Sequence, residues 1–88
     1  VIIQDDHFDT DSVTLCPFTT HPADAPLFRL LIEPDQGNGL DGRSRIMVDK
    51  VTTVLRSRLG MKVGVLDDAS VLRLNKALVV FLGIAGST

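Results

Sequence analysis

At Asp67 the hydrophobic period of this chain changes, and that change limits what it can fold into. Upstream, apolar residues come in short β-branched runs. Downstream, Val71, Leu74, Leu78 and Phe81 recur at helical spacing, flanked by Leu72, Val79 and Leu82. Asp67 or Asp68 can cap such a helix, because a carboxylate there accepts from the unpaired N–H groups of the first turn. Gly83 is a natural terminator, since it enters the left-handed region with no Cβ penalty. Arg73, Asn75 and Lys76 form the polar side. The apolar stripe is wide, so the helix is expected to pack on its own domain and also meet a second surface, most simply another subunit.

Before the helix the chain is punctuated by turns. Residues 1–5 are β-prone, and "HFDTDS" (7–12) has turn chemistry. Residues 12–20 read as a second strand whose Pro17 marks an edge, a bulge or a strand end. Two prolines fix a loop over 21–26, a third strand covers 27–33, and a Gly/Asp/Asn-rich loop covers 34–43. A long strand follows over 44–55, then the turn "RSRLG", then a last strand over 61–67. Five short strands ending in one helix predict a mainly β (α+β) fold, a small curved antiparallel barrel with a C-terminal helix. At 88 residues the chain is one small domain with a modest single core.

Composition excludes several function classes. A hydrophobic fraction of 44% is too high for a disordered chain. The net charge of −2 leaves no global basic field, so any nucleic-acid site must be a local patch. A single cysteine, Cys16, rules out an intramolecular disulfide and a cysteine zinc cluster. No apolar run approaches the roughly 18 residues of a membrane span, so no membrane partner is expected. The first residues carry no basic n-region or cleavage pattern and do not read as a signal peptide. His7 and His21 are far apart, and Asp5, Asp6, Asp9 and Asp11 read as turn formers, so neither a metal nor a cofactor is expected. "QGNGLDG" (36–42) lacks the Lys-Ser/Thr of a phosphate loop and reads as a hairpin loop.

Two stretches could carry chemistry. "CPFTTH" (16–21) sets two hydroxyls at a strand end beside a proline-fixed loop. In 44–55, strand alternation assigns Ile46, Val48, Lys50, Thr52 and Val54 to one face and Met47, Asp49, Val51, Thr53 and Leu55 to the other. Each face thus has a polar intrusion. Asp49 and Lys50 are either solvated or paired at barrel openings, with the threonines as plain β-formers, or they are part of a site. Residue types alone leave both readings open.

Taken in order, the segments resemble the MazF/PemK (Kid) family of toxin endoribonucleases. "VIIQDD" (1–6) resembles the strand after the family's arginine-proline step, and "VTLCPFTT" (13–20) its P-x-T-T strand. "SRIMVDKVTTVLRSRLG" (44–60) resembles S-R-x-x-V-D-Q/K-x-x-T-V followed by R-S-R/K-L-G, and "VGVLDDASVLRLNKALVVFLGI" (63–84) the closing strand and helix. The family's first strand, Gly-rich loop and catalytic arginine precede "VIIQ" and are expected to be absent from these 88 residues, which otherwise form a single toxin domain. The resemblance implies a small SH3-like barrel of the CcdB/MazF type, acting as a homodimer in the bacterial cytoplasm. It implies metal-independent cleavage of single-stranded RNA at short motifs, through attack of the ribose 2′-hydroxyl, and neutralisation by a cognate antitoxin peptide. By position it implies Thr19 and Asp49 as catalytic residues, at the scissile phosphate and in acid–base work. Lys50 stands where many members have glutamine and could supply phosphate charge, with Gln4, Thr20, Ser44 and Arg45 as further RNA contacts. Two alternatives share the fold: a CcdB-like toxin that binds gyrase, and a catalytically degenerate antitoxin-binding module.

Overall fold

Two stretches of the chain each break once, at the same place in space, and there pass from one sheet to another. The computed structural model describes residues 1–4, 8–21 and 28–83. Strand β1 (Ser12–Leu15) ends at Cys16-Pro17, and β2 (Phe18–Thr19) resumes in a different sheet. After β3 (Arg29–Ile32) comes β4 (Ser44–Met47), which ends in a 3-10 turn over Val48–Lys50. Strand β5 (Thr52–Leu55) then resumes in the first sheet. Antiparallel β1 and β5 pair with Val13 opposite Val54, while the second sheet has the order β2-β4-β3. The Met47 N–H donates to the Pro17 carbonyl at 2.8 Å, so the two crossings are tied to each other.

The physical causes are local. Pro17 has no N–H to give a ladder, so a strand cannot run through it in a sheet interior. Val48 is fully buried, and its N–H donates to the Phe28 carbonyl at 2.8 Å. With Val48 anchored, the chain turns at Asp49 and Lys50. The single strands expected over 12–20 and 44–55 are therefore each two strands, and Pro17 is a strand end. The expected strand over 61–67 joins no ladder among the described residues; the Val65 N–H donates to the Gly37 carbonyl at 2.7 Å instead. A Cβ on Gly64 would lie 2.3 Å from the Asn38 carbonyl carbon, so this approach to the 34–42 loop requires glycine. Residues 1–4 contribute a single bridge, Ile2 to Leu15, and not a full strand. Among the described residues the ladders remain two open sheets, so the closed barrel expected from the strand count does not form.

Helix α1 (Asp68–Leu82) has the caps its sequence implies. The Asp67 carboxylate accepts from the Ser70 N–H, and Gly83 turns left-handed at φ 66°. The Ser70 hydroxyl also donates to Asp67, and this bond holds the Asp67 carboxyl below the usual carboxylate range. Its buried line is Ser70, Leu74 and Leu78, narrower than the stripe the spacing predicts. Phe81 lies at the margin, its ring edge-on to Phe28 with centroids 5.1 Å apart. Leu74 and Leu78 close the core over Cys16, Leu30, Ile32, Ile46 and Val48. Burial also raises the pKa of the Cys16 thiol, which makes it a packing residue and not a nucleophile. Ile46, fully buried on the central strand, is the most informative core probe. Ile46→Val should cost about 1 kcal/mol and Ile46→Ala about 2–5 kcal/mol, read from urea midpoints at unchanged m-value.

Candidate functional site

The outer face of the β2-β4-β3 sheet gathers three of the polar residues that stand out in the sequence, Thr19, Arg45 and Asp49. Burial alternates along β4: Ser44 and Ile46 point inward, Arg45 and Met47 outward. Cross-strand partners share a face. Thr19 and Leu31 flank Arg45 on either side, and Arg29 lies opposite Met47. Thr19 and Arg45 thus stand side by side, with Arg29 diagonal to Arg45 across the β3–β4 ladder.

Asp49 meets this face from the 3-10 turn that follows Met47. Its carboxylate accepts from Arg29 through both oxygens: Nε to Oδ1 at 2.7 Å and Nη2 to Oδ2 at 3.0 Å. Both side chains are largely but not wholly enclosed, at 17% and 29% exposure. The Arg29 hydrogen bonds hold the Asp49 carboxyl below its usual range despite partial desolvation, and Lys50 adds a smaller Coulombic effect in the same direction. At neutral pH Asp49 is therefore an anion with both oxygens occupied. Lys50 is exposed beside it on the 3-10 turn.

Thr19 has a hydroxyl suited to bonding an anion. Its Oγ1 accepts from the His21 backbone N–H at 3.1 Å, which leaves the O–H free to donate. Thr20 is exposed at the next position. Arg45 is half-buried, with no acceptor on its guanidinium among the described residues. Locally, Arg29, Arg45 and Lys50 stand against Asp49, a cationic patch on a chain of net charge −2.

Two residues expected at the site have other work. The Gln4 amide donates to the Phe8 carbonyl and Thr10 Oγ1 and accepts from the Thr14 N–H, clipping Phe8 and Thr10 to β1. Ser44 is buried and donates to the Gly42 carbonyl at 3.0 Å, so it closes a turn and is not on the surface an RNA would meet. His7, Asp5 and Asp6 lie outside the described residues. Arg29 is the residue that sequence reasoning missed. Its only signal is a guanidinium in the outward register of "FRLLI".

With this geometry in view, a family model described as PemK-like, MazF-like toxin of type II toxin–antitoxin system matches residues 1–82. The chain belongs to this family. It is 56% identical over 87 residues to a protein of Mycolicibacterium smegmatis named probable endoribonuclease MazF, covering 98% of this chain and 80% of that one. Among solved structures it is similar to Mycobacterium tuberculosis toxin MazF-mt6, with a TM-score of 0.82 at 22% identity, over 94% of this chain and 83% of that chain. It is also similar to a mycobacterial endoribonuclease in complex with its cognate antitoxin, with a TM-score of 0.74 at 22% identity, over 96% of this chain and 79% of that one. The two structural likenesses establish a shared fold: antiparallel sheets with one C-terminal helix. Family membership makes this chain the toxin of a type II pair, with an antitoxin as its partner class. Among the described residues no helix is long and apolar enough to cross a membrane.

The Arg29–Asp49 pair has a pH signature. A carboxyl whose folded pKa lies below its unfolded value stabilises the fold above that value, and the contribution is lost as pH falls through the folded pKa. The reference value for Asp49 is 3.8. Asp49→Asn should therefore be less stable than the parent at neutral pH, and the gap should shrink on acidification to about pH 3. Urea midpoints across that range check it; a gap that stays constant contradicts it.

Proposed function

We propose that this chain is the toxin endoribonuclease of its pair. In this reading it cleaves single-stranded RNA, mRNA included, at short motifs without a metal, using the outer face of the β2-β4-β3 sheet. The observation that carries it is the juxtaposition of Thr19 and Arg45 as cross-strand partners, with a free hydroxyl donor beside an uncommitted guanidinium. A relative at 56% identity bears the name of an endoribonuclease, which supports the same activity. The 88 residues act as a single toxin domain. An mRNA substrate and the lack of a membrane-spanning helix among the described residues fit a cytoplasmic protein.

The chemistry follows from what the transition state needs. The ribose 2′-hydroxyl gives its proton to solvent water as its oxygen bonds to the adjacent phosphorus, and the phosphorus–O5′ bond breaks as O5′ takes a proton from water, leaving a cyclic phosphate and a 5′-hydroxyl. Negative charge builds on the non-bridging oxygens on the way. Donors fixed before the reaction stabilise that charge without reorganising. The Thr19 hydroxyl and the Arg45 guanidinium are such donors, and Lys50 and Thr20 contact the flanking strand. The reaction needs no redox partner and no cofactor.

The partners follow the same reading. Leu72, Val80 and Leu82 are exposed on α1, an apolar surface suited to a second copy of the chain in a homodimer. The antitoxin binds as a peptide that blocks access to the RNA face. Nothing on that face favours a gyrase-binding role in its place.

The test is cleavage of mixed-sequence single-stranded RNA in EDTA by purified protein free of antitoxin. The parent should cut, and Thr19→Ala should cut about 100-fold more slowly, the typical cost of one preorganised donor. The variant should keep its thermal midpoint and its antitoxin binding. Intact RNA with the folded parent overturns the proposal, and trapped DNA breaks with gyrase would replace it by the gyrase-poison reading.

A further inference from the structure

We propose that Arg29 is a second phosphate ligand on the RNA face, and that Asp49 is a positioning residue acting through it. The inference rests on the RNA-cleaving reading above and assigns that site one more contact.

A guanidinium carries five N–H groups in a planar fork. Asp49 takes one from Nε and one from Nη2. Both N–H groups of Nη1 and the second of Nη2 have no acceptor among the described residues. The bidentate pair fixes the plane of the fork, so these three donors are aimed and not free to wander. Arg29 projects from the same face as Arg45 and Thr19, with its pair still partly open to solvent. A ligand oxygen can therefore reach the fork.

The pair also stabilises the fold, but two of the five guanidinium donors suffice for that. A carboxylate with both oxygens held by an arginine is poorly placed for proton transfer, since protonation removes the charge that strengthens both bonds. Positioning an arginine is the work that this geometry does well. Two aligned cations, Arg29 and Arg45, then present donors to successive phosphates of an extended strand, with Lys50 alongside.

The test uses a non-cleavable 2′-O-methyl RNA to measure binding against salt, and the corresponding RNA to measure single-turnover cleavage against pH. Losing one phosphate contact on a single strand lowers the slope of log affinity against log salt by about 0.7. Arg29→Gln should show that loss, with cleavage down roughly tenfold or more. Asp49→Asn should lower cleavage by a similar factor with the pH profile unchanged in shape. The double variant should be no slower than either single one. Should Arg29→Gln not fold, Arg29→Lys decides: the charge remains, so the slope should hold while cleavage falls.

Three results would overturn the inference. One is an unchanged slope and rate in the Arg29 variants. Another is an Asp49→Asn variant that loses a limb of the pH profile while the Arg29 variants cut normally. The third is additive losses in the double variant. A parent protein that shows no salt-dependent RNA binding sinks the RNA reading itself, which is a separate outcome.

Discussion

The hydrogen bond from the Met47 N–H to the Pro17 carbonyl, at 2.8 Å, ties together the two points where the chain changes sheets. Much of the architecture depends on that crossing. Without it β1 and β2 would continue as one strand, β4 and β5 as another, and one flat sheet would replace two. The crossing lets Cys16 and Val48 enter the core from the bends, under Leu74 and Leu78 of the helix. A small chain gains an enclosed core this way, where a single sheet could bury only one face against one helix.

The same bends create the polar face. Since β4 is central, its outward residues have neighbours on both sides, and Arg45 stands between Thr19 and Leu31. The 3-10 turn after Met47 then carries Asp49 against Arg29 rather than along the strand. A chain with net charge −2 thus sets Arg29, Arg45 and Lys50 around a single carboxylate, Asp49. Such a local patch attracts a polyanion at the site without making the whole protein adhesive to nucleic acid. Helix α1 supports the arrangement from β3, since Arg73 Nη1 donates to the Leu31 carbonyl at 3.2 Å.

How much was legible in the sequence depended on how local the cause was. The helix and both caps were legible, because Asp67, Ser70 and Gly83 act within a turn of their own positions. Pro17 announced an interruption, although not that the chain would change sheets there. The break at Asp49-Lys50 was hidden by β-branched residues on both sides, since its cause is Val48 anchored to Phe28 and Asp49 drawn to Arg29, twenty residues away. Residues 61–67 alternate like a strand but meet a loop and not an edge, and alternation says nothing about partners. At the candidate site, Thr19 and Arg45 stood out by residue type, and it is the β2–β4 ladder that pairs them. Gln4 and Ser44 did not keep their expected places, because their side chains satisfy nearby backbone groups that only the folded chain brings within reach.

The central claim is that the outer face of the β2-β4-β3 sheet is the surface that meets RNA. Mapping chemical-shift changes along the chain on addition of a non-cleavable single-stranded RNA tests it most directly. The account predicts changes concentrated at Thr19, Thr20, Arg29, Leu31, Arg45, Met47 and Lys50, weakening as salt is raised. Changes confined to the exposed side of α1 or to residues 61–66, with that face silent, would contradict it.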